Sequence, residues 1–354
     1  MTTRHAHPAL ASSTDEARAG AASQRISPLF IGVVLTLALG AASLASVAFG
    51  ARIVTLDEIY IGITNTPTDE LGALAVRERL PRTVIALLAG AALAVSGALM
   101  QSLTRNPIAD PGILGINTGA ALAVVTGIAF FGATHLSQHI GLALVGALVT
   151  AFFVNAIGSA GPGGATPVKL ALAGMATTAA LSSLISAIML PRAQGLDAFR
   201  AWQVGSLGRG TWQAILTLTP FLLVAAIITV VIARALDSLA LGEEMAIGLG
   251  VNVDRTRALA ALAGVILSAT VTAIAGPIGF VGLMVPHVIR ILIGPSHGWL
   301  LFLSALGGAF LLTTSDVIGR VLISPSEIPV AVITAFLGAP VLIAVARTAK
   351  VGLN

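Results

Sequence analysis

Three arginines stand within six residues of the stretch RERLPR, at Arg77, Arg79 and Arg82, in a 354-residue chain of which 10% is charged. A fourth, Arg320, follows Asp316 by four positions in TTSDVIGR. Guanidinium groups so placed can do one of two things. They can anchor helix ends among lipid headgroups, or they can present fixed positive charge to a partner's carboxylates, which steers encounter and register. Asp316 could also simply neutralise Arg320 across one helical turn.

Other reactive side chains offer less. Of the six histidines, His5 and His7 lie near the N-terminus, His135 and His139 share a loop, and His287 sits in VPHVIR. No H-E-x-x-H pair occurs, and no Ser/His/Asp set can be argued from these positions. The two lysines, Lys169 and Lys350, lie outside any G-x-x-x-x-G-K-[ST] loop, so nucleotide hydrolysis is not expected of this chain. The absence of cysteine excludes disulfides, iron–sulfur ligation and thiolate zinc sites. The isoelectric point near 10.6 reflects basic residues scattered among loops, which argues against a nucleic-acid partner. Neither a catalytic residue nor a metal site is expected, and the chain reads as a non-enzyme.

The elements that must position these groups are hydrophobic. The chain is 56% apolar with a mean hydropathy of +0.97. Apolar runs near 29–50, 83–103, 113–133, 139–158, 169–190, 213–234, 257–276, 278–294, 299–321 and 328–347 each approach the ~20 residues that cross a hydrocarbon core. They are continuous and do not alternate, so an all-α transmembrane fold of about ten helices is expected. Nine is the competing count, because AGPIGFVG is the one break between 257 and 294. Residues 1–27 read as a disordered cytoplasmic tail and 28–350 as a single transmembrane domain. With both termini inside, the inner segments carry eleven of the nineteen Lys and Arg residues and the outer segments eight. RERLPR then faces outward, where that bias does not call for it.

The spans carry almost no ionisable groups away from their ends, which disfavours a proton-coupled carrier; a sodium-coupled carrier using backbone carbonyls stays open. Energy for uphill transport would then come through a partner. The longest inner loop, ARALDSLALGEEMAIGLGVNVDRTRA (233–258), is the place for one, with Leu239, Leu241, Met245, Ile247 and Leu249 as apolar contacts and Gly242, Gly248 and Gly250 as turns.

Four stretches carry a resemblance over nearly the whole chain after residue 28. They are RLPRTVIALLAGAALAVSGALMQSLTRNPIADPGILGINTGA (79–120), LGEEMAIGLGV (241–251), AGPIGFVGLMVPHVIR (275–290) and SEIPVAVITAFLGAPVLI (326–343). In this order they resemble the FecCD family of type II ABC-importer permeases for ferric siderophores, haem or cobalamin. The resemblance implies a cell (inner) membrane subunit without cofactor of its own, paired with a second permease as homo- or heterodimer. It also implies two cytoplasmic ATPases, which bind ATP and Mg, and an external substrate-binding protein. Arg79, Arg82 and Arg320 would dock the binding protein. A coupling loop over 236–256, centred on Leu241, Gly242, Glu243, Glu244, Ala246 and Gly248, would engage the ATPase. Gly164, Thr166 and Pro167 would lie at a cytoplasmic gate, and 169–190 and 328–347 would line the path. Ferric siderophore is the expected cargo, with haem or cobalamin as alternatives and an ATPase-independent carrier as the runner-up.

Overall fold

The computed structural model describes residues 27–50, 52–107, 109–160, 166–192, 202–208, 210–294 and 296–351. Among them the chain forms α1 (Pro28–Ala48), α2 (Leu56–Thr64), α3 (Leu71–Thr104), α4 (Ile116–Phe131), α5 (Leu136–Ser159) and α6 (Pro167–Met189). There follow α7 (Trp212–Ala240), α8 (Glu243–Gly248), α9 (Val253–Ala275), α10 (Val281–Ile293), α11 (His297–Val321) and α12 (Val330–Val351). Local chemistry marks the helix starts. The side chains of Thr55, Thr166, Thr211 and Asn252 each accept a hydrogen bond from a backbone N–H of the first turn.

Each expected apolar run falls on a helix. Seven helices are long and apolar enough to cross a membrane, while α4, α10 and the apolar part of α12 are shorter. The run 257–294 is broken at Gly276–Phe280, where Gly276 takes φ 74° and Phe280 φ 68°. A positive φ costs glycine little, so the chain can turn there and start α10. The expected loop of 233–258 is shorter than its polarity suggests, because α7 continues to Ala240 and α9 begins at Val253.

One boundary differs markedly. RERLPR does not precede its helix; it lies inside α3, which begins at Leu71 and contains Pro81. At 34 residues α3 spans about 50 Å, well beyond a ~30 Å hydrocarbon core. Its first turns therefore project past the core, where α2 packs on them. Val76, at 0% exposure, is buried in that contact with Val54 and Val47. Tertiary cover makes these charged positions helical.

The bundle is built around α3, α9 and α11, whose apolar windows are 56–72% buried, against 22–33% for α1, α5, α6 and α7. Lipid offers no hydrophobic drive between helices, so close backbone approach supplies the packing. The tightest crossing is α3 on α11, where a methyl on Gly90 would overlap the Gly308 carbonyl and one on Gly308 would overlap the Gly90 carbonyl. Helices α1 and α10 flank this pair, α7 and α5 flank α9, and α4–α6 form an outer group.

Candidate functional site

The two ends of the bundle carry different chemistry. At one end, where α1 and α11 finish and α3 begins, Arg79, Arg82 and Arg320 converge. The C-terminal carbonyls of α1 have no helical partners and carry its negative dipole end. Arg79 donates to the carbonyls of Val47 (3.0 Å), Ala48 (3.2 Å) and Arg52 (2.7 Å). Arg320 donates to the carbonyls of Ser46 (3.0 Å) and Phe49 (3.2 Å) and to the Ser46 hydroxyl (2.8 Å). Two arginines from different helices thus cap one helix end.

Asp316, 2% exposed, stands between Arg320 and Arg82. Arg82 grips it from Nε and Nη2 at 2.9–3.2 Å, and Arg320 Nε lies 3.1 Å from its other side. Arg82 also reaches the half-exposed Glu327 at 2.9 Å. A buried carboxylate between two guanidiniums repays its desolvation only when the hydrogen bonds are made, and here they are. The pairing of Asp316 with Arg320 is visible in their spacing; Arg82, 234 positions from Asp316, is not.

The three arginines grouped by the sequence argument therefore occupy different environments. Arg79 and Arg320 are 9% and 3% exposed, turned into the protein by α1's carbonyls. Arg82 is partly open, with 14% of its side chain accessible. Arg77 donates to the Thr66 carbonyl. Nearby, the Thr55 N–H donates to Glu58 at 2.7 Å and holds its carboxyl below the usual range.

At the other end, α8 lies across the ends of α7 and α9. Ala246 is fully buried and seats it, and Glu243 meets Arg257 at 2.8 Å. The remaining face is bare. Leu241, Met245, Ile247 and Leu249 are 58–67% exposed, Glu244 is exposed, and Gly242 and Gly248 have open space where a side chain would go. Gly242 turns the chain at φ 116°. Of the gate residues, Thr166 Oγ1 accepts the Lys169 N–H at 3.3 Å, Pro167 opens α6, and Gly164 lies outside the described residues.

The same end holds a set that sequence reasoning missed. His297 Nδ1 lies 3.1 Å from Asp237, and its Nε2 lies 3.0 Å from Ser102 Oγ. No linear spacing joins residues 102, 237 and 297. The set is built for structure: Ser102 Oγ donates to the Ala98 carbonyl at 2.8 Å, and Asp237 caps α11 by accepting the His297 N–H at 2.6 Å. Among the described residues, no group of three or more His, Cys, Asp or Glu side chains could hold a metal ion.

A bundle of seven long apolar helices with shorter ones among them is the architecture of a membrane-spanning subunit. The chain belongs to the FecCD transport family, whose model matches residues 34–348. It is 42% identical over 313 residues to the ferric enterobactin transport system permease protein FepD of Escherichia coli (strain K12), covering 88% of this chain and 93% of that one. The Fe(3+)-citrate import system permease protein YfmD of Bacillus subtilis (strain 168) is 44% identical, with 77% and 80% covered. The hemin transport system permease protein HmuU of Yersinia pestis is 38% identical, with 89% and 95% covered. A solved metal-chelate type ABC transporter in an inward-facing conformation superposes with a TM-score of 0.77 at 29% identity, over 91% of this chain and 99% of that one. This is a multi-pass membrane permease of the ABC class.

Proposed function

We propose that the chain is the permease subunit of an ATP-driven importer of ferric siderophores in the cell membrane. The observation that carries this reading is 42% identity to a ferric enterobactin permease along 93% of its length. Haem is the second reading, favoured by the 38% identity to a hemin permease. Cobalamin follows at greater distance.

In this reading the α8 end is cytoplasmic and the Arg82 end external. The bare apolar face of α8, with Glu243, Glu244 and Gly248 beside it, takes the ATPase, which binds ATP and Mg and performs the hydrolysis. Arg82 meets carboxylates of the binding protein, while Arg79 and Arg320 hold the platform from which it acts. A second permease packs on this one, with α6 and α12 along the path, which their exposed Leu172, Met175, Val332 and Phe336 support. Thr166 and Pro167 begin α6 at the cytoplasmic gate, with Gly164 just before them.

The test is uptake into proteoliposomes holding the permease with its co-encoded ATPase and binding protein. ATP-dependent accumulation of labelled ferric siderophore, lost when either partner is omitted, is expected. Uptake without the ATPase would overturn the importer in favour of a carrier. Accumulation of haemin but not ferric siderophore would move the cargo to the second reading.

A further inference from the structure

At the α8 end, the last turns of α3 and α7, the first turn of α9, and the ends of α10 and α11 enclose a cavity of about 390 Å³. This lies within the ~300–1,000 Å³ typical of small-molecule sites. Arg105, Arg257, Arg290 and His297 line it, together with Ser102 and Gln101. Arg257 is matched by Glu243 at 2.8 Å, and His297 hydrogen-bonds Asp237 at 3.1 Å. Arg105 and Arg290 have no carboxylate partner among the described residues. Their hydrogen bonds, to the Leu239 carbonyl at 3.4 Å and to Ser102 Oγ at 3.5 Å, are at the weak limit. Gln101 is 3% exposed; its amide N–H₂ donates to the Leu283 carbonyl, and its Oε1 is buried without a hydrogen-bond partner. Spare guanidinium donors thus face this space. A phosphate supplies the acceptors they lack.

A second cavity, of about 700 Å³, adjoins it and shares Leu103 and Arg257. Its walls are mostly apolar, with Leu114, Leu148, Phe152 and Val265 among them, beside Thr104, Asn155 and the shared Arg257. A basic chamber opening beside an apolar one matches the two halves of an amphiphile. Basic pockets between transmembrane helices bind anionic lipid headgroups on general electrostatic grounds.

We propose that the paired cavities bind one anionic phospholipid, with its phosphate between Arg105 and Arg290 and an acyl chain in the more apolar cavity. The orientation proposed above assigns this lipid to the inner leaflet. Its binding is measured without transport, so failure of the importer reading leaves it standing.

The full chain, delipidated in detergent, is titrated with phosphatidylglycerol, with phosphatidylcholine and with inorganic phosphate, following thermal midpoint and lipid adducts by native mass spectrometry. Phosphatidylglycerol is expected to raise the midpoint by roughly 5 °C and persist as one adduct per chain, the other two giving neither. Arg105→Gln with Arg290→Gln abolishes both signals. If that pair fails to insert, Arg105→Gln alone, at an exposed helix end, is expected to weaken phosphatidylglycerol about tenfold. An equal shift with phosphatidylcholine, the same shift with inorganic phosphate, or an adduct that survives these substitutions would overturn the proposal. So would a double variant that keeps the lipid shift and loses only ATPase co-purification, which would give the cavity to a partner side chain.

Discussion

The Arg82 end and the α8 end both lie at the margins of the same bundle, yet they treat charge and apolar surface in opposite ways. At the first, Arg79, Arg82 and Arg320 end on oxygens of the chain itself, and Asp316 is enclosed at 2% exposure. At the second, Arg105 and Arg290 hold only long contacts to neutral oxygens, and four large apolar side chains of the α8 loop stand open. The first end is a finished platform whose rigidity comes from within. The second is unfinished by the same physical criteria, which is why the proposed ATPase and lipid are placed there. A surface that must present one arginine in a fixed place needs internal satisfaction around it. A surface that must transmit force to a partner needs its own apolar contacts left free.

The largest expected effect tests the internal satisfaction. Asp316→Ala leaves buried Arg320 without a carboxylate and Arg82 with Glu327 alone, which costs about 3–5 kcal/mol and lowers the thermal midpoint in detergent by roughly 10 °C. An unchanged midpoint would mean that the platform is not held from within. At the opposite end, Met245→Asp with Ile247→Asp is expected to leave the midpoint within about 2 °C, since neither side chain packs in this chain. ATPase co-purification should weaken by ~30-fold or more, the scale of losing an interface anchor. A fall in midpoint with intact assembly would reverse the comparison. Gly248→Trp sharpens the point, because open space surrounds the glycine: normal insertion with lower ATP-driven uptake is expected. The smallest effect belongs to Glu243→Gln. Its pairing with Arg257 is 40–50% exposed on both sides, so the midpoint should move by less than ~1 kcal/mol equivalent, measured by the same scan.

Much of this was legible in the linear chain. The apolar runs located the long helices, though α3 and α7 extend well past theirs, and the 241–251 stretch marked the exposed apolar side chains at the α8 end. The spacing of Asp316 and Arg320 allowed their pairing as the alternative to docking, and they do pair. Other features could not be read. The extension of α3 through RERLPR depends on α2 lying over it, and the capping of α1 by Arg79 and Arg320 depends on carbonyls some 30 and 270 positions away. The Ser102–His297–Asp237 set and the paired cavities at Arg105 and Arg290 draw on separated helices that share no motif.

By itself the sequence determined that this chain spans a membrane as helices, because each run must satisfy its own backbone hydrogen bonds in lipid, and that is a local property. Only the tertiary structure decided which arginine stays partly open, which are spent on helix ends, and which are left facing a cavity. A guanidinium reaches several ångströms in any direction from its helix, so its partner is set by which neighbour the packing brings near, and packing is a property of the assembled bundle.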